Sequence, residues 1–134
     1  MPGIVAVLMG VITATFGGVL RVCGQEVGRL DEGGIDRLRA AAVHYVPQRH
    51  QGLLGRSPVD NIATWLQRFD GLSKRQAECA AEEALALVGI ERRQFGVTVA
   101  PPAFSGGQQA RVAIACAIAR RRPLCFADEV LAGL

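Results

Sequence analysis

The sequence predicts an α/β fold in which a helical segment is inserted between strand-like pieces. Apolar residues over 74–88 and 105–118 recur at the i, i+3, i+4 spacing of helices. The runs 43–46 and 124–127 are instead short and β-rich or apolar, as strands are. With 134 residues, 50% of them hydrophobic, the chain fits one globular domain or part of one and is not a disordered tail.

Composition excludes several classes of function. Fifteen basic and twelve acidic residues give a net charge of +3, which is too small and too scattered for a nucleic-acid surface, and 5% aromatic residues do not make a base-stacking platform. None of the four cysteines falls in a C-x-x-C pair. We therefore expect reduced thiols in a cytoplasmic protein that binds no nucleic acid.

The first twenty residues carry no charged side chain, and two interpretations stay open. A buried helix that ends at the turn Gly17–Gly18 is the ordinary one. A membrane or export segment is the alternative, although the first basic residue, Arg21, follows the apolar stretch instead of preceding it.

The next elements are short. A strand is predicted at Val19–Cys23, a turn and loop over 25–34, and a short helix at Ile35–Ala42. Val43–Val46 is a β-rich run stopped by a proline, which places Gln48 at or just past the end of a strand.

Residues 49–103 are predicted to be the helical insert. After a polar loop over 49–58, a shorter helix is expected at Asn61–Phe69 and a stronger one at Lys74–Val88. Ser73 and Gln76 have the spacing of a capping box, and Gly89 is placed to end the second helix. Residues 97–103, which include two prolines, are a connector.

Phe104–Gln108 opens a further helix. Ser105 and Gln108 have capping-box spacing, and Gly106 and Gly107 leave the first backbone amides uncovered by side chains. An uncovered helix N-terminus favours phosphate. The alternative is an ordinary loop that enters a helix.

After Arg120–Arg122, whose charges suit a helix C-terminus, Leu124–Ala127 is expected to be a buried parallel strand. It stops at Asp128 and Glu129, where α/β folds place their ligands. One carboxylate would hold Mg²⁺ and the next would polarise a water for attack on phosphorus. A solvated acidic turn is the alternative.

These residues resemble the nucleotide-binding domain of ABC transporters. Phe104–Gln108 resembles the signature motif, with Phe for the usual Leu, and Leu124–Glu129 resembles the Walker B strand. Tyr45–Gln48 resembles the Q-loop, Gly17–Val27 the strand pair after the first helix, and Val59–Asn61 the start of the helical subdomain. The resemblance implies a P-loop NTPase core of the ABC type, present in part, with an inserted helical subdomain.

The resemblance also implies roles for single residues toward ATP and Mg²⁺. The implied roles are catalytic for Glu129 and Gln48, nucleotide-binding for Ser105, Gly106, Gly107 and Gln108, and metal-binding for Asp128 and Gln48.

Three departures from the family pattern stand out. No G-x-x-x-x-G-K-[ST] phosphate-binding loop occurs, since the only lysine is Lys74. The sequence stops at Leu134, before the family's D-loop aspartate and switch histidine. Val130–Leu131 replaces the usual Pro-Thr, and Cys116 replaces a common arginine. We therefore expect a chain that lacks both ends of the domain and does not hydrolyse ATP alone, although the resemblance is to an ATPase.

The predicted organisation is a partial core up to the Q-loop at 1–48, a helical subdomain at 49–103, and the signature helix with Walker B at 104–134.

The function implied is that of an ATP-binding subunit of an ABC transporter, most similar to the lipoprotein-release and macrolide-export kind. Its partners would be a second nucleotide-binding subunit across the ATP site and a transmembrane permease on the inner face of the cell membrane. A non-catalytic regulatory module that docks on a complete ATPase, and a non-functional gene fragment, are the alternatives.

Overall fold

Helices and strands are mixed along the chain, as predicted for an α/β fold. The computed structural model describes residues 19–46 and 55–127. Its strands are β1 (Arg21–Val22), β2 (Gln25–Glu26), β3 (Val43–Val46) and β4 (Leu124–Ala127), and its α-helices are α1 (Glu32–Ala42), α2 (Pro58–Asp70), α3 (Lys74–Leu87) and α4 (Gly106–Arg120). Short 3-10 helices occur at Val27–Arg29 and Arg92–Gln94. The helix predicted before Gly17, and the site residues Gln48, Asp128 and Glu129, lie outside the described residues.

The first two strands form a tight hairpin. Arg21 pairs with Glu26 and Val22 with Gln25 in an antiparallel register. Cys23 and Gly24 both adopt positive φ, +49° and +79°, the conformation that two-residue hairpin turns require. The single strand predicted at 19–23 is therefore wrong at Cys23, whereas the strand pair implied by the family resemblance is confirmed.

Helix α1 begins earlier than predicted. The loop expected over 25–34 is wrong because Asp31 caps the helix, its side chain accepting a 2.6 Å hydrogen bond from the amide of Gly34. A Cβ at Gly34 would lie 3.0 Å from the Asp31 carboxylate and 3.2 Å from the Leu30 side chain. The glycine thus permits a close approach within the first helical turn and does not mark a loop.

Strands β3 and β4 occur where predicted and pair with each other. The expectation that Leu124–Ala127 is buried is wrong, because its residues alternate between half-buried and exposed. Within residues 19–46 and 55–127, β4 has β3 as its only strand neighbour. Leu124 and Phe126 pack on one face of β4 against a small apolar core, whereas Cys125 and Ala127 on the other face are exposed.

The described residues divide into two compact units. One comprises 19–44 and 122–126 and holds a small apolar core. Its buried members are Val22, Val27, Leu38, Ala42 and Val43, with Leu20, Leu30, Leu124 and Phe126 packed against them.

The other unit comprises 45–46, 55–121 and 127, and its main core lies among α2, α3 and α4. Helix α3 contributes Ala77, Ala81 and Ala84, all at most 3% exposed. These small side chains at i, i+4 and i+7 let neighbouring helices approach closely. No helix in the described parts of the chain is long and apolar enough to cross a membrane.

The N-termini of the helices in this unit are capped by the side chain of the residue before each helix. Helix α2 begins at Pro58 and not at Asn61, because Ser57 accepts a hydrogen bond from the amide of Asp60 and proline suits the first turn. The loop predicted to run through Pro58 is therefore too long at that end. Helix α3 has the predicted capping box between Ser73 and Gln76.

A buried ion pair joins the C-terminal ends of α2 and α4. Arg120 donates from Nε and Nη2 to the two carboxylate oxygens of Asp70, at 3.2 and 3.1 Å, and the two side chains are only 8% and 9% exposed. The guanidinium also lies over the ring of Trp65, 5.3 Å from its centroid. Arg120 thus has a defined partner, beyond the general preference of cations for a helix C-terminus.

We expect Asp70→Asn to lower the free energy of unfolding by about 3 kcal/mol, because the Arg120 charge would stay buried without its counterion. Urea unfolding measures this. Glu78→Gln is the control, since Glu78 pairs with Lys74 at 3.9 Å on an exposed surface and its loss should cost less than about 1 kcal/mol. Equal losses of unfolding free energy in the two variants would contradict the stabilising role of the buried Asp70–Arg120 pair.

Candidate functional site

The N-terminus of α4 carries the capping box predicted from sequence. Ser105 is the N-cap, with extended backbone. Its hydroxyl accepts from the amide of Gln108 at 3.2 Å, and its own amide donates to the Gln108 side-chain oxygen at 2.9 Å. The reciprocal pair fixes the direction in which the first turn of the helix starts.

The two glycines after Ser105 leave this helix end open. Ser105 and Gly106 are exposed and Gly107 is half-buried. Apart from the neighbouring residues and the backbone of its own helix, a Cβ added at Gly106 would meet no atom within 4 Å, so a side chain would have room there. The first amides of a helix have no acceptor within it, and the helix dipole is positive there. The arrangement provides donors suited to phosphate oxygens.

The side chain of Gln108 has a structural role in addition to the nucleotide-binding role that the family resemblance implied. Its side-chain oxygen is engaged by the Ser105 amide. The carboxamide therefore supports the cap, and only its nitrogen is available as a donor to a ligand.

Phe104, which stands where the family usually has Leu, is fully buried in the main core. Its amide donates to the carbonyl of Ala100 at 3.0 Å. The residue immediately before Ser105 is therefore held in the core, close to the exposed Gly106 and the half-buried Gly107.

Two buried polar residues, Asn61 and Gln94, were not predicted to have side-chain roles. Asn61 donates to the carbonyls of Arg56 and Ser57, at 3.3 and 2.9 Å, and Gln94 donates to that of Ala103 at 3.2 Å. Neither belongs to a motif with periodic spacing. Their burial, 6% and 8% exposed, is visible only in the tertiary structure.

The remaining predicted site residues lie next to described elements. Val46, two positions before Gln48, is buried and packs with Ala110 and Ala113 of α4. The strand that leads to Gln48 therefore contacts the helix that starts at Ser105. Asp128 directly follows the last residue of β4.

No cluster of three His, Cys, Asp or Glu side chains suited to a metal occurs within 19–46 and 55–127. The predicted Mg²⁺ ligands, Gln48 and Asp128, are outside those ranges, so their metal-binding role stays a prediction.

Cys116 lies inside the core beside the Asp70–Arg120 pair. Burial raises the pKa of its thiol to about 12, the positive charge of Arg120 opposes this rise, and Asp70 adds to it. The side chain is therefore an uncharged apolar group at neutral pH. It fills space where the family commonly has an arginine.

The family assignment follows from comparison with known proteins. The model of the ABC transporter family matches residues 4–132, nearly the whole chain. Solved relatives are ATP-binding cassettes. A dimeric cassette in a post-hydrolysis state with ADP and phosphate superposes with a TM-score of 0.68 at 26% identity, covering 84% of this chain and 49% of that one. The chain has the fold of an ABC-type P-loop NTPase, and it belongs to the ABC transporter family.

Comparison with curated proteins shows which ATP-binding proteins the chain resembles. The lipoprotein-releasing system ATP-binding protein LolD of Ruegeria sp. is 35% identical over 95% of this chain and 54% of its own length. LolD 2 of Caulobacter vibrioides is also 35% identical, over 93% and 53%. The methionine import ATP-binding protein MetN 2 of Pseudomonas aeruginosa is 34% identical over 88% and 34%. The chain spans about half the length of the LolD relatives that it matches.

We expect Ser105→Ala and Ser73→Ala to lower the free energy of unfolding by similar amounts, about 1 kcal/mol each. The two serines make matching capping boxes, with hydroxyl-to-amide distances of 3.2 and 3.3 Å. Thermal or urea unfolding of both variants checks this. A much larger loss for Ser105→Ala would mean that its side chain supports more than its own helix.

Proposed function

We propose that this chain is the ATP-binding part of an ABC transporter and that it contacts ATP through Ser105, Gly106 and Gly107. The observation that carries the proposal is the open N-terminus of α4, where a capping box and two glycines present backbone amides to solvent. Proteins of this family bind ATP with Mg²⁺, and the γ-phosphate is the group whose oxygens match these donors.

The nucleotide would be shared with a second nucleotide-binding subunit. The solved relatives above are dimeric, which supports this arrangement. The 134 residues contain no G-x-x-x-x-G-K-[ST], so the lysine and loop amides that cradle phosphates come from another polypeptide segment. In this proposal Gln108 steadies the cap, and its side-chain nitrogen is the group left to face the nucleotide.

Gln48, Asp128 and Glu129 complete the proposed site. Asp128 and Gln48 would hold Mg²⁺, which neutralises charge on the phosphates, and Glu129 would orient and deprotonate the attacking water. The contact between Val46 and α4 supports placing the Q-loop side of the chain beside the signature helix.

The transport role is proposed from the relatives. LolD proteins are the ATP-binding components of lipoprotein-releasing systems, and we propose the same class of task here. The chain would act on the cytoplasmic face of the membrane with a permease as partner. The division into 1–48, 49–103 and 104–134 is retained as part of this proposal.

A non-catalytic regulator is the second candidate. It is favoured by one observation, that Ser105 and Gln108 alone complete the N-terminus of α4, which needs no other part of the site. Such a chain would occupy the signature position opposite a complete ATPase and would use Ser105–Gly107 without needing Glu129. The two candidates differ in whether Glu129→Gln changes turnover of the assembled complex.

Nucleotide contact is tested by labelling only the glycine nitrogens of this chain, adding an unlabelled complete nucleotide-binding subunit that supplies a phosphate-binding loop, and titrating the mixture with MgATP. We expect the Gly106 and Gly107 amide resonances to shift, because they face the ligand, while those of Gly24 and Gly71 stay in place. Ser105→Ala should weaken the apparent affinity about fivefold, the effect of one lost hydrogen bond near 1 kcal/mol.

Ser73→Ala is the matched control, since it removes the equivalent cap of α3 and should leave the titration unchanged. Shifts spread over all glycines, or none at Gly106 and Gly107 at saturating nucleotide, would contradict the proposed contact.

The isolated 134-residue chain should release no phosphate from ATP, because the main electrostatic stabilisation of the transferred group is absent. A coupled phosphate assay on purified protein measures this. Steady release that Glu129→Gln abolishes would show that the chain has a complete hydrolytic site.

A further inference from the structure

The side chain of Gln94 bridges the second 3-10 helix and the connector, residues 97–103, that precedes the signature. Its nitrogen donates to the carbonyl of Ala103 at 3.2 Å, and its oxygen accepts from the amide of Glu91 at 3.4 Å. With 8% exposure, Gln94 is among the few buried polar residues in the described chain. Both ends of its carboxamide are therefore used.

From Ala103 onward, each residue as far as Ser105 has a fixed contact. Phe104 is fully buried, and its carbonyl accepts from the Gln109 side chain at 3.5 Å. Ser105 is held by the capping box. Only Phe104 therefore separates Ala103 from the capping box that orients Gly106 and Gly107.

The far end of the connector is held separately. The amide of Val99 donates to the carbonyl of Arg56 at 2.8 Å, and Asn61 donates to the same carbonyl at 3.3 Å. Val99 is fully buried. The connector is thus held by hydrogen bonds to Arg56 near its start and from Gln94 at its last residue, Ala103, next to the buried Phe104.

We propose that Gln94 is a positioning residue for the signature amides, acting through Ala103. The inference rests on the proposed nucleotide contact of Gly106 and Gly107. A single neutral hydrogen bond is a small part of the stability of a domain, so the helices stay folded without it. A binding site, however, loses affinity when its donors are no longer held in the productive geometry.

Gln94→Glu tests this directly. The carboxylate has almost the same shape but cannot donate to the Ala103 carbonyl. In the MgATP titration of the glycine amides, we expect the apparent Kd to rise about fivefold. Gln94→Met, which has no charge and a similar length, should show the same effect and guards against misfolding of the first variant.

Gln67→Glu is the matched control. Gln67 also donates from its side-chain nitrogen to a backbone carbonyl, that of Ala63, at 3.2 Å, but on α2 and away from the connector. Its substitution should leave the Kd unchanged. Equal affinities for wild type and both Gln94 variants, or an equal loss in Gln67→Glu, would overturn the positioning role.

A second readout needs no ligand. Nuclear relaxation of the free chain should show lower order at Gly106 and Gly107 in Gln94→Met and no change in Gln67→Met. If the wild-type glycines fail to respond to MgATP, the proposed nucleotide contact fails, while unchanged order in Gln94→Met overturns the role of Gln94 independently.

Discussion

The unit that contains α2, α3 and α4 depends on helix α4 being fixed at both of its ends. At the C-terminal end, the guanidinium of Arg120 is paired with Asp70 and covered by Trp65, so the ion pair is shielded from water. At the N-terminal end, Phe104 is buried in the core. Held in this way, the helix presents its first amides at one place on the surface, which is the condition for a preorganised anion site.

Two helices of the same unit start with the same capping box but differ in the two residues after the N-cap serine. After Ser73, helix α3 continues with Lys74 and Arg75, whereas after Ser105 helix α4 continues with two glycines. The cap satisfies the same backbone donor in both helices, so it does not distinguish them. The absence of side chains at the start of α4 leaves room for a ligand to reach the amides.

The 134 residues belong to the ABC transporter family but contain no phosphate-binding loop, and they span about half the length of the LolD relatives. A signature helix needs only amides, a hydroxyl and a fixed position, all of which a helical unit supplies by itself. Holding the triphosphate requires a lysine and a glycine-rich loop. Holding and contacting the nucleotide are therefore separable tasks, and the role proposed for Ser105, Gly106 and Gly107 is the second.

Local signals in the sequence predicted the capping boxes at Ser73 and Ser105, because a capping residue and its partner are three positions apart, but they missed the caps at Asp31 and Ser57. The α/β class and the family also followed from local motifs. Only the tertiary structure decided that Gly34 lies within a helix, that β4 is partly exposed, and that Asp70 meets Arg120 fifty residues away. Such contacts depend on which surfaces meet after packing, and neither periodicity nor spacing encodes that.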